Sequence, residues 1–171
     1  MAELMRADEH PLVMHTARCV ESESELTDFR FDDSDERAGE DVATDRTAAF
    51  ANGDDDEAWQ RRVLELLDDG SYYGWRGSQA SQLRKALEPP TSQLLITDQR
   101  LMAVDINNLD EPEIEWSSER GGIEKVFKRS RFLEPGRIVI VFGDGSVLAV
   151  HVGMLGGKAA SSCVAALDSR A

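Results

Sequence analysis

The residues able to do chemistry in this chain are few, and their spacing limits what they can do. His10, His15 and Cys19 stand close together near the start. Zinc takes four ligands at defined spacing, commonly as two pairs, and no matching pair follows, so no metal site is expected. His151, the third histidine, stands in an apolar stretch without a nucleophile beside it; acid–base and triad chemistry have no candidate group. GMLGGKA (153–159) has the glycines of a phosphate loop. The first glycine of G-x-x-x-x-G-K-[ST] would fall at Val152, however, and Ala159 replaces the Ser or Thr. Asp105, Asp110, Glu111, Glu113 and Glu115 gather around a polar loop, as solvated carboxylates commonly do. The sequence thus predicts no enzyme, no cofactor and no metal.

The residues best suited to binding are cations. Lys125, Lys128, Arg129, Arg131 and Arg137 fall within thirteen positions, with Glu134 the one acid among them. On a strand, alternate residues share a face, so Lys125, Arg129 and Arg131 would point outward while Val126 and Phe132 point in. Three readings stay open: an ordinary solvated strand, a dock for the chain's own acidic stretch, or a contact for an acidic partner or anionic lipid. Nucleic acid is not expected, because apart from Phe127 and Phe132 no aromatics interleave with these cations to form a stacking platform.

The elements that would position these residues follow from periodicity. Trp59, Val63, Leu66 and Leu67 form one helical face behind the capping oxygens of Asp54–Glu57, which predicts a helix over 57–69 closed by Gly70. SYYGWR (71–76) reads as a short strand. Ala80, Leu83, Ala86 and Leu87 give a second helical face, stopped at Pro89-Pro90. From there the period is two: strands are expected over 92–97, 100–106, 113–116 and 123–132. The strongest local signal is RIVIVFGDGSVLAVHV, two β-branched runs about Gly143-Asp144-Gly145, which predicts a hairpin over 137–152. Ala160, Cys163, Val164 and Leu167 then mark a closing amphipathic helix.

Charge divides the chain. Residues 1–57 hold 18 Asp/Glu and 5 Arg, a net −13, whereas residues 58–171 hold 15 Asp/Glu and 14 Lys/Arg, a net −1. The first part reads as a disordered acidic tail, since it has too few large apolar residues to offset the entropy of ordering. Leu26, Phe29 and Phe31, set among acids in SELTDFRFDD, could fold onto a partner as a short motif. Such a tail repels phosphates and favours basic surfaces. Met1–Val20 has no continuous apolar run of the signal-peptide kind, and no stretch reaches the ~18–20 apolar residues of a membrane span. A soluble, cytoplasmic protein is the expectation.

About seven short strands from Ser71 onward, followed by one amphipathic helix, set the overall pattern. With the LLITDQRLMAVD hairpin, a Trp116 strand, Ile123 and Val126 in I-x-x-V, and the FGDGS hairpin, this order resembles bacterial pleckstrin-homology-like (PH-like) domains over residues 71–170. The helix over 79–87 departs from that pattern as an insertion. The resemblance implies a mainly β fold: a partly open antiparallel barrel plugged at one end by the last helix, here preceded by a short helix and the acidic tail. It brings no catalytic residues. It implies a scaffold for a protein or peptide partner or a lipid headgroup, with Lys125–Arg137 as the candidate contact.

Overall fold

The period-two stretches form strands, and the chain is mainly β. The computed structural model describes residues 4–19, 56–67, 71–108, 111–129, 136–153 and 157–168. Its strands are β1 (Pro11–Cys19), β2 (Tyr72–Tyr73), β3 (Ser92–Thr97), β4 (Arg100–Asp105), β5 (Glu113–Glu119), β6 (Ile123–Lys128), β7 (Arg137–Phe142) and β8 (Val147–Val152). Three helices accompany them: α1 (Asp56–Leu67), α2 (Gln79–Ala86) and α3 (Gly157–Asp168). The strands make one antiparallel sheet in the order β5-β4-β3-β1-β8-β7-β6, with β2 also on β8. Its two end strands do not pair with each other, so the sheet stays open.

β1 joins the two halves. Its first residues pair with β3 (Pro11 opposite Thr97, Thr16 opposite Gln93), and its last three, Ala17–Cys19, pair with β8. This corrects the expectation that residues 1–57 are all tail. Val13, Ala17 and Cys19 lie against the core, and the cue was faint because the strand's partners stand some eighty residues or more further along. The acidic stretch is therefore an internal connection between β1 and α1. The expected strand over 71–76 also shortens to two residues. Ser78 N–H donates to Trp75 O at 3.0 Å in a turn, and Gly74 has Ser78 Oγ where a Cβ would sit, at 2.6 Å.

The inner face buries Leu94, Ile96, Leu101 and Trp116 from one half and Val126, Ile140, Phe142 and Leu148 from the other. Trp116 and Phe142 meet edge to face at 6.0 Å. Ala160 and Cys163 of α3 and Leu83 of α2 complete this core. The opposite face of β6–β8 is covered as well: Val63 and Leu67 of α1 pack on Phe127, Val139, Val141 and Val147. Two covered faces explain why IVIVF (138–142) is an unbroken apolar run and does not alternate.

Polar ties fix the ends. In the β7–β8 turn, where Gly145 takes φ 84°, Asp144 Oδ2 accepts Gln79 N–H at 2.8 Å and Ser146 Oγ accepts Ala80 N–H at 3.0 Å. The hairpin thereby supplies acceptors to the first N–H groups of α2. At the other end of the sheet, the buried Glu9 carboxylate accepts Arg100 Nε at 2.9 Å, Arg100 Nη2 at 2.5 Å, Thr97 Oγ1 at 2.6 Å and Arg6 N–H at 3.0 Å. The Arg100 bonds, aided by Thr97 and Arg6, outweigh the desolvation and hold the Glu9 carboxyl down at about 2.

Candidate functional site

β6 is the last strand on its side of the sheet, and what precedes it sets its position. Residues Arg120–Gly122 form one 3₁₀ turn, tight because a Cβ on Gly122 would meet Ser118 Oγ at 2.6 Å. Arg120 reaches from this turn to the end of α3, donating from Nη2 to Ala166 O at 2.6 Å and Leu167 O at 2.8 Å. A guanidinium on the terminal carbonyls of a helix satisfies orphan acceptors and the negative end of the dipole together. The turn, the start of β6 and the end of α3 thereby enclose a groove of about 730 Å³. Its lining mixes Ile123, Val126 and Leu167 with Arg120 and Lys125 and with Asp98, Glu124 and Asp168. His10 N–H donates to Asp98 at 2.8 Å and holds that carboxyl below its ordinary value.

The main chain of β6 has one side engaged and one side open. Arg129 N–H donates to Arg137 O at 3.0 Å, so alternation turns the N–H groups of Phe127 and Lys125 towards β7 and those of Val126 and Lys128 away from it. Among the described residues no strand pairs with that outer side. The opposite edge, β5, presents Glu113, Glu115 and Glu119 as exposed acids along its length, a charge pattern that discourages pairing.

The four expected cations among the described residues do not share a face. Lys128 lies over α3, with Nζ donating to Gly157 O at 3.3 Å and Ser161 Oγ at 3.4 Å. Lys125 is half-buried in the groove and Arg129 is exposed. Arg137, opposite His151 in register, is buried at 1% exposure and belongs to the interior, not to a binding surface. Its place in an apolar run covered on both sides accounts for this. Arg131, and Leu26, Phe29 and Phe31 with it, lie outside the described residues. Val126 points inward as expected, but so does Phe127 towards the other cover. Among the described residues, Lys125, Lys128, Arg129 and Arg137 thus do not line one basic face.

The other candidates also have places. His10, His15 and Cys19 are spread along or just before β1; at about 3.3 Å per residue, the outer two are roughly 30 Å apart, too far for one ion. Asp105 Oδ1 accepts Thr91 Oγ1 at 2.5 Å and Asn107 N–H at 2.9 Å, closing a turn. Among the described residues no group of three or more His, Cys, Asp or Glu gathers to hold a metal ion, and no helix is long and apolar enough to cross a membrane. Sequence reasoning missed Arg120 and the open side of β6. RGG before a strand hinted at a turn, but edge status depends on pairing that no local pattern carries. No family model, curated protein or solved structure matches the chain.

Proposed function

We propose that the chain is a non-enzymatic interaction module on a PH-like scaffold, taking an extended segment of a protein partner as an added strand along β6. The observation that carries this reading is the outer side of β6, which pairs with no strand among the described residues and whose residues from Ile123 to Val126 border a groove that the end of α3 also lines. Strand addition draws its affinity from main-chain hydrogen bonds and its specificity from pockets for alternate side chains. The groove offers both apolar and charged lining, so an alternating peptide with basic and apolar positions fits it. The lipid alternative needs the cations of 125–137 on one surface, and the division of Lys128, Lys125 and Arg137 among α3, the groove and the interior favours the peptide instead. The module works in the cytoplasm in this account, where cysteines remain thiols.

The test uses twelve-residue peptides (about the length of a strand with its flanks) selected from a displayed library on the full chain. Lys128→Pro removes one outward N–H at a position where an edge strand tolerates proline. Lys128→Ala keeps that N–H and removes only the side chain. Binding lost in Lys128→Pro and kept in Lys128→Ala supports strand addition. Equal binding by both variants overturns it.

A further inference from the structure

A second groove, of about 850 Å³, runs along α2 and is lined by Tyr72, Arg76, Ser81, Arg84, Lys85 and Glu88. Three cations face one acid there. The Arg84 guanidinium lies 5.4 Å from the Tyr72 ring centre, which fixes a positive charge on an apolar floor. Arg76 and Lys85 are exposed at the rim. Unlike the cations of β6, these converge.

The acidic connection starts at this groove. Cys19, the last residue of β1, donates from Sγ to Arg84 O at 3.6 Å. The connection resumes in the fold at Asp56, the start of α1, and α1 packs against Tyr73, the neighbour of Tyr72 on β2. The start of residues 20–55 therefore lies beside α2, while their end leads into α1, which packs in the cluster that holds Tyr73. That span of 36 residues holds 13 Asp/Glu and 3 Arg, a net −10. Its unconstrained span is roughly 30–36 Å, ample to reach along α2, and a tether of this length gives an effective concentration of the order of millimolar. We infer that the acidic connection docks in cis on the α2 groove, with its carboxylates on Arg76, Arg84 and Lys85. This inference is independent of strand addition at β6: it assigns the acidic stretch to the surface along α2, and leaves the β6 groove to a partner.

The test is amide NMR on the full chain, with two sets of variants. Asp28→Asn, Asp32→Asn, Asp33→Asn and Asp35→Asn together neutralise four carboxylates, taking the connection from a net −10 to −6, and alter no described residue. Arg76→Glu with Lys85→Glu reverses the groove. The expected result is that neutralisation, and salt raised from about 0.05 M to about 1 M, move the amides of 76–88 in the same direction and leave 125–129 in place. In the reversed groove, amides of 21–36 lose their salt dependence. Unmoved amides at 76–88 on neutralisation would overturn the inference, as would movement at 125–129 in their stead. Shifts that vanish on dilution would also overturn it, because they would place the contact between copies.

Discussion

Replacing Glu9 with Gln keeps the shape of the most enclosed ion pair in the described chain and removes its charge. The carboxyl, ordinarily at 4.5, sits at about 2 in the fold. A shift of that size corresponds to about 3 kcal/mol of stability at neutral pH. Because the folded value is the depressed one, this contribution is complete above pH 4.5 and is lost as pH falls towards 2. Glu9→Gln should therefore unfold about 3 kcal/mol more easily than the parent at pH 7, and the gap should close progressively below pH 4.5. Arg100 is left buried beside a neutral amide, which pushes the cost towards the upper end for a broken buried pair, ~3–5 kcal/mol. Urea unfolding followed by tryptophan fluorescence, repeated from pH 7 downward, measures the gap. Glu9→Leu with Arg100→Met leaves no charge stranded and should lose less than the single variant. A gap that stays constant across the acid range would show that Glu9 acts by shape alone and would refute the electrostatic argument.

Other perturbations have defined outcomes. Phe142→Ala empties a fully buried ring site against Trp116 and should cost about 3–5 kcal/mol in the same urea assay. Asp144→Ala removes the acceptor for Gln79 N–H and should cost about 1–2 kcal/mol, with the fastest-exchanging new amides at 79–81 in hydrogen-exchange measurements. Burial pushes the Cys163 thiol up to about 12, so alkylation of the native protein at pH 8 should modify Cys19 first and reach Cys163 only on unfolding; mass spectrometry reads the order.

Much of the frame was legible because its determinants are local. The Gly143-Asp144-Gly145 hairpin, the β3–β4 pair and the three helices each carry their pattern within a dozen residues. Strand β1 escaped because nothing near PLVMHTARC shows what it pairs with; its partners are β3 and β8, and charged residues on either side gave it the composition of the tail. Arg137 read as a surface cation since sequence assigns arginine to solvent, while a two-sided cover over RIVIVF leaves that position inside. The β6 cations were legible as residues but not as a surface. Their faces depend on the bulge between Ile123 and Lys125 and on α3, which meets Lys128 from a helix some thirty residues later.

Hydrogen exchange at the amides of 124–128, with and without a selected peptide, tests the central claim most directly. Strand addition predicts new protection at Val126 and Lys128, with Lys125 and Phe127, already turned to β7, little changed. Protection that appears along β5 or α2 while Val126 and Lys128 exchange as before would contradict it.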